Sequence, residues 1–557
     1  MKKFKILAVL LFLSAVAGCS QKDITYDEAV LRLDKLITKI DWSENFSNKI
    51  ESISETKLSG AGDMLPDIDK YPIVVYPYDS ANSVVVEIFC STEKSGEGPD
   101  GFITEIAEKF NKSSLKTSDG KLAQVAIRKI ASGTGYQYIS SGKYIPDAFT
   151  PSNHLWIEMV RSSGVEVNMI DDQLAENIAG IVMQTDAVEA LKTKYKDMDI
   201  RNICNAVIQG DIFMGYTNPF ASSTGLNFLQ SVLMTFSGGD ESKMLTDEVK
   251  SSFLAFQQGV PFVSLTTLQM RESVEKGGSL DAFVMEYQTY VNTSSMKRGY
   301  EFIPFGIKHE NPLYSTGNVS AEKTNVLKLF SQFVKKDSSQ KIATKYGFNP
   351  ELNYTPEYKS PSGETLILAQ KLWKTEKDTG NPIVAVFLTD TSGSMNGAPI
   401  NSLKDALIAG CEFIDEKNYI GLATFDSTVV KLLPVKQFNK MQKQRFISSV
   451  KTMEANGSTA MFDGILVSAQ MITEVKKQLP KCKPIIFVLT DGDTNSGYRL
   501  GKVQTVLKGL NIPIYTIGYG YNNDTLKTVS SINEAANLNA QEDDIVYQIG
   551  ELLNAEM

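Results

Sequence analysis

Two uninterrupted apolar runs, Ile383–Leu388 and Ile485–Leu489, constrain this chain more than any other feature. Neither run alternates with polar residues, so each predicts a strand covered on both faces. That environment is typical of a parallel sheet with helices on either side. Each run stops abruptly at a small polar loop. The first ends in Thr389-Asp390-Thr391-Ser392-Gly393-Ser394-Met395, with a helix expected from about Ala398, and the second in Thr490-Asp491-Gly492-Asp493. Strand and helix patterns then alternate regularly from Asn381 to Met557. The expected fold class is α/β, with a doubly wound parallel sheet at the C-terminal end. In such sheets ligands bind outside the carboxyl ends of the strands, where these loops fall.

The residue types in those loops specify a chemistry. Hydroxyls of Ser392 and Ser394, with that of Thr459 in the loop Asn456-Gly457-Ser458-Thr459-Ala460, are neutral oxygen donors. Asp390 and Asp491 add negative charge. Hard divalent cations take oxygen ligands in near-octahedral arrays, so this set suits magnesium, with manganese or calcium as alternatives. Serines at these positions can equally cap the following helix, and Asp-Gly is a common turn. Asp463 and Asp493 are read as helix and loop residues without a metal role.

Three of these segments carry a family resemblance. Asp390-Thr391-Ser392-Gly393-Ser394 matches the D-x-S-x-S motif of von Willebrand factor type A domains. Asn456 to Asp463 resembles the family's threonine-bearing second loop, and Thr490-Asp491-Gly492 its aspartate-bearing third. Tyr419 to Phe425 and Ile512 to Gly518 resemble two further strands of that fold. Ser458 stands where glycine is common. The resemblance implies a Rossmann-like sheet bearing a metal-ion-dependent adhesion site, formed by Asp390, Ser392, Ser394, Thr459 and Asp491. A cation with few direct anionic ligands stays electrophilic, and in this family it takes a carboxylate from an acidic protein partner.

The middle of the chain repeats the pattern of strand, hydroxyl-rich loop and helix. Ser91 follows the run Ser83–Cys90, and Ser132 and Thr134 follow Leu122–Ile130. Ser152 precedes a helix expected near His154, while Thr217, Ser222 and Ser223 precede one near Leu226. Free N–H groups and the positive dipole end suit such places to anions, although the same residues serve as ordinary helix caps. From Tyr71 to Pro350 this arrangement resembles the type 2 periplasmic solute-binding proteins. The resemblance implies two α/β lobes closing by hinge motion on a small solute or anion. His154 and His309 are read as ordinary surface or core residues.

The first twenty residues bear on the compartment. Met1-Lys2-Lys3-Phe4-Lys5 is basic, and Ile6–Ala15 is apolar but too short to span a bilayer. Val16-Ala17-Gly18-Cys19 follows. That order resembles the lipobox of bacterial lipoproteins, which implies cleavage before Cys19, lipidation of its sulfur and anchorage on the extracytoplasmic face of a membrane. Of the other four cysteines, Cys90 and Cys411 lie in apolar stretches and read as small buried hydrophobes.

The expected map is therefore a signal peptide over 1–18 and a tether with a docking helix over 19–70. A two-lobed solute-binding-like domain (71–350), a linker (351–380) and the metal-binding domain (381–557) follow. A net charge of −9 with no long basic run argues against nucleic acid. Only two histidines are present, and no G-x-S-x-G or Walker motif occurs. No catalytic residue is assigned, and the chain reads as a binding protein and not an enzyme. A solute receptor for a membrane transporter is the alternative, and a metal-dependent hydrolase ranks below it. Cys19→Ser should move the protein from the membrane fraction to the soluble one. Unchanged partitioning, with no fatty-acid labelling of the wild type, would exclude the anchor.

Overall fold

The computed structural model describes residues 24–46, 65, 67–260, 262–264, 267, 270–271, 280–377, 381–411, 414–492, 494–519, 524–533, 535, 537–540, 549 and 552. Cys19 and Asp493 lie outside them. In chain order the strands are β1 (Trp42–Glu44), β2 (Ile73–Val75), β3 (Ser83–Cys90), β4 (Leu122–Lys129), β5 (Ala148–Thr150) and β6 (Val167–Asp171). Then come β7 (Asn177–Gln184), β8 (Met214–Thr217), β9 (Phe262–Ser264), β10 (Ala282–Glu286), β11 (Tyr300–His309) and β12 (Leu313–Thr316). The last six are β13 (Ile383–Asp390), β14 (Tyr419–Phe425), β15 (Val429–Gln437), β16 (Lys483–Thr490), β17 (Ile514–Tyr519) and β18 (Asn537–Ala540).

They form three sheets. The C-terminal sheet has the order β1-β15-β14-β13-β16-β17-β18. Its centre is the strand the sequence singles out: every residue of β13 is buried, between parallel β14 and β16. Val384, Val386 and Leu388 pack on one face, Ile383, Ala385 and Phe387 on the other. This is the doubly wound α/β arrangement, with one departure. Strand β15 runs antiparallel to β14, so the sheet is mixed. The reason is local: only Asp426, Ser427 and Thr428 separate the two strands, a length that permits a hairpin but not a crossover.

The edge beyond β15 is covered from far away in sequence. Strand β1 pairs in parallel with β15, Trp42 opposite Val429 and Glu44 opposite Lys431. Helix Tyr26–Ile37 precedes it, started by a capping box between Thr25 and Glu28. The helix buries Ala29, Leu33 and Ile37 in the same core as β13.

The middle of the chain makes two α/β lobes. The first is built on the sheet β2-β4-β3-β5-β12-β6, the second on β11-β7-β10-β8-β9. The chain passes between them more than once, since β12 returns to the first sheet after β7–β11 have built the second. The stretch read as a linker contains helix Gly363–Glu376, capped by Ser362. Its Leu366 is buried in the core of the first lobe, and its Ala369 and Trp373 in that of the second. The helix is thus a packed bridge across both lobes. A single tryptophan and a few leucines do not distinguish a bridging helix from a solvated one when its partners are 150 to 200 residues away. Among the described residues no helix is long and apolar enough to cross a membrane.

Trp373 is fully buried and donates its indole N–H to the Tyr216 hydroxyl at 2.6 Å. Trp373→Ala would leave a large cavity and remove one partner of the Tyr216 hydroxyl, which also donates to Gln257, at a cost of about 3–5 kcal/mol. The denaturation midpoint of the solute-binding-like lobes should fall accordingly in urea titrations of the full chain. An unchanged midpoint would show that the helix is not integral to them.

Candidate functional site

Helix and strand termini assemble the C-terminal site at one edge of the sheet. Asp390 is the last residue of β13 and has no solvent exposure. Its Oδ1 accepts the Ser392 N–H at 2.7 Å, and its Oδ2 accepts a short bond from the Thr490 hydroxyl at the end of β16. Ser392 Oγ lies 3.1 Å from Ser394 Oγ, which donates to Asp491 Oδ1 at 2.8 Å. Asp390, Ser392, Ser394 and Asp491 are therefore joined in one run of polar contacts between two loops.

The second loop reaches the same edge through its backbone. Gly393 N–H donates to Gly457 O at 3.1 Å, and Asn456 N–H to Thr391 O at 2.7 Å. Thr459 is held on both sides: its N–H donates to Asn495 Oδ1 at 2.8 Å, and its carbonyl accepts the Thr494 hydroxyl at 2.9 Å. Asp463, given no metal role, accepts the Tyr498 N–H at 2.8 Å and pins the segment after the third loop. Two supporting residues escaped the sequence reading. Thr490 was noted only as part of a motif, and Asn495 has no recognisable spacing. An Asn after a buried strand-and-turn segment is too common to single out.

The electrostatics are those of a site short of positive charge. Burial pushes the Asp390 carboxyl up to about 6; bonds from Ser392 and Thr490 oppose the shift, and nearby Asp491 adds to it. Two carboxylates share the edge with the hydroxyls of Ser392 and Ser394. Ser392 is buried while Ser394 is exposed, so the array opens to solvent on one side. This donor set fits a hard divalent cation, which would supply the missing charge and accept neutral oxygens.

The middle-domain hydroxyls also converge, but on protein groups. All seven predicted residues, Ser91, Ser132, Thr134, Ser152, Thr217, Ser222 and Ser223, are buried. The Ser152 hydroxyl makes a short bond to Glu93, and the Ser152 N–H reaches Ser132 Oγ at 3.4 Å. Thr217 donates to Ser222 Oγ at 3.0 Å, and Ser222 caps its helix by accepting the Gly225 N–H. Ser223 Oγ accepts the Trp156 indole N–H from the other lobe at 2.9 Å. The N–H of Gly133, in the first turn of helix Ser132–Ser141, donates across the interface to Ala221 O at 3.3 Å. The approach there is so close that a Cβ at Gly133 would sit 1.9 Å from Phe220 O.

A polar network that sequence reasoning missed occupies the same interface. Glu286 ends β10 and accepts from Thr224 at 3.1 Å and Asn177 at 3.0 Å. His309 Nδ1 lies 2.9 Å from its Oε1, while Asn153 and Asn227 present their amide nitrogens to Nε2 at 3.1 and 3.2 Å. Lys94 is buried and donates to Pro151 O at 2.9 Å and Asn311 Oδ1 at 3.0 Å. Burial, and secondarily Glu286, raises the Glu93 carboxyl. The detectable signal was an acid closing the buried run Ala282–Glu286, the pattern that marks Asp390.

Comparison with known proteins agrees with this division. Residues 385–552 match the model of the von Willebrand factor type A domain, and residues 95–349 that of a bacterial extracellular solute-binding protein. The chain therefore combines a domain of each type. Human inter-alpha-trypsin inhibitor heavy chain H3 is 31% identical over 157 residues, 26% of this chain and 17% of that protein. Human heavy chain H1 is 28% identical over 151 residues, 25% and 16% respectively. The chain spans about a sixth of the length of these curated relatives. Among solved structures, the sulfate-binding protein SubI from Mycobacterium tuberculosis H37Rv is similar at 15% identity and a TM-score of 0.36, covering 52% of this chain and 96% of that one. The von Willebrand factor type A protein from Catenulispora acidiphila is similar at 17% identity and a TM-score of 0.29, covering 31% and 42%.

The raised carboxyl of Asp390 makes the metal-free protein pH-sensitive. Its folded value of about 6 exceeds the ordinary 3.8, so between the two the folded state holds more protons than the unfolded one. Stability is then greatest below about pH 4 for this group and falls as pH rises through about 6, by up to roughly 3 kcal/mol. Asp390→Asn should remove that loss. Denaturant unfolding in chelator at pH 4 to 7 measures it, and identical pH profiles for the two proteins would contradict the assignment.

Proposed function

We propose that this protein is an extracytoplasmic binding protein that recognises an acidic protein partner through a divalent cation, with lipid at Cys19 as its membrane anchor. The cation is magnesium, or manganese or calcium in its place. Asp390, Ser392, Ser394, Thr459 and Asp491 hold it. The observation that carries this reading is the continuous polar run from Asp390 through Ser392 and Ser394 to Asp491 at the carboxyl edge of the sheet. Those groups are already together, and one side of the array faces solvent. When bound, the cation supplies a Lewis-acidic position for a carboxylate oxygen. The protein's own residues do the rest. Buried Asp390 fixes the Ser392 backbone and Thr490 orients Asp390. The second loop is tied to the first through Gly457 and Asn456.

The solute-binding-type domain serves this reading as a scaffold or sensor. An extracytoplasmic location accords with its match to extracellular proteins and with the signal-like N-terminus.

Calorimetric titration of the full chain with magnesium and manganese is the direct test. One ion should bind per chain. Asp390→Ala or Asp491→Ala should weaken binding more than tenfold, because each removes a compensating charge, while Ser392→Ala should cost less because water can replace a neutral oxygen. Capture of partners from envelope extracts should require the ion. Wild-type affinity in Asp390→Ala, or capture that persists in chelator, would overturn the reading.

A further inference from the structure

The order of domains along the chain is not their order in space. From the pairing of β1 with β15 we infer that the C-terminal, proposed metal-binding domain is discontinuous, formed by residues 24–46 together with the described residues from 381 onward, and that the solute-binding-type domain is inserted into it. Four observations support this. Strand β1 continues the C-terminal sheet, with the Val429 N–H donating to Asp41 O at 3.0 Å and the Asn45 N–H to Lys431 O at 2.9 Å. Helix Tyr26–Ile37 packs on helices Met461–Lys476 and Leu500–Leu510, and its buried face is part of one core with β13 and β16. Gly509 lies where this helix approaches closely, and a Cβ there would meet Ile24 Cγ1 at 2.7 Å and Ala29 Cβ at 2.9 Å.

The fourth observation is electrostatic. Lys431 in β15 is only 5% exposed. Its ammonium lies 3.9 Å from the centre of the Trp42 ring and 3.6 Å from Glu44 Oε1, with Gln470 Oε1 at 3.5 Å. Ring and carboxylate both come from β1. Without that strand a buried cation would lose its counter-charge and its aromatic cover, an arrangement proteins avoid. The inserted domain begins by Leu65, buried with Ile130 and Tyr138 of the first lobe, and ends with the bridging helix at Glu376.

The insertion sets orientation. Strand β1 begins beside Val429, near the loop end of β14, and runs away from the metal loops. Strand β13 starts at the same far end, where Lys377 O accepts from Lys483 Nζ at 2.9 Å. Strand β1 therefore points away from the loop edge as it leaves the sheet, and β13 enters from the opposite edge. Six residues lie between Cys19 and Tyr26, so the two are at most about 25 Å apart along the chain. Resting on the anchor proposed at Cys19, this places the metal-binding domain, and not the solute-binding one, next to the membrane.

Hydrogen exchange on the full chain tests the insertion independently of lipidation. Amides of 26–37 should be protected to the same degree as those of 429–437. Gly509→Leu should accelerate exchange in both segments at least tenfold while β3 and β7 stay protected. Because that variant could unfold the whole domain, Trp42→Ala provides a milder probe. It should lower the unfolding midpoint of the metal-binding domain, and adding Lys431→Leu should restore it. Free exchange of 26–37 in the wild type would overturn the inference. So would protection of 429–437 that Gly509→Leu leaves untouched, or a Trp42→Ala loss that Lys431→Leu does not recover.

Discussion

Burial of β13 on both faces is the constraint from which the C-terminal site follows. A strand with no exposed residue has to carry its carboxylate to the rim before water or a counter-charge can reach it. Asp390 sits at that limit, still without exposure, and is solvated only by Ser392 and Thr490. Those two bonds do not offset its desolvation fully, so the carboxyl remains well above its ordinary range. The strain is electrostatic, and a cation of the kind proposed above would relieve it. The side chains that meet it there, Ser392 and Thr490, are neutral hydroxyl donors.

The interlobe network of the middle domain answers a similar problem differently. Glu286 also ends an apolar strand and is also buried, yet Thr224, Asn177 and His309 all reach it. Lys94 is similarly satisfied by a carbonyl and an amide. Here the protein's own donors complete the site, and the two lobes meet directly at Gly133 and Ala221. Two buried acids that end apolar strands thus meet different surroundings, one set in a closed network of protein donors and the other at a rim that opens to solvent beside Ser394.

The two domains are also tied mechanically. A helix bridges the lobes through Leu366 and Trp373, and the chain then enters β13 a few residues later. At the other end, β1 precedes the first lobe. Rearrangement of the lobes would thus be felt at two points of the C-terminal sheet, at β1 on its edge and at the start of β13. Two connections restrict rotation in a way one linker cannot, and the buried contact of Lys431 with Trp42 and Glu44 secures the one at the sheet's edge.

Sequence alone determined the class of both domains and pointed to the C-terminal loops in which Asp390, Ser392, Ser394 and Asp491 meet. A run such as Ile383–Leu388 has few homes other than a doubly covered strand, and three ordered loop motifs restrict which oxygens can meet. It also located the hydroxyl loops of the middle domain, though not their role, because a serine before a helix reads identically whether it meets a solute, a cap or another lobe. The antiparallel β15, the bridging helix, the Glu286–His309 network and the insertion were decided only by tertiary structure. Each depends on pairing between segments whose own patterns are unremarkable: Trp42-Ser43-Glu44 is three residues long and holds one apolar side chain. Its place in the sheet is chosen by the unpaired edge of β15 and by the buried charge of Lys431, nearly 400 residues further along the chain.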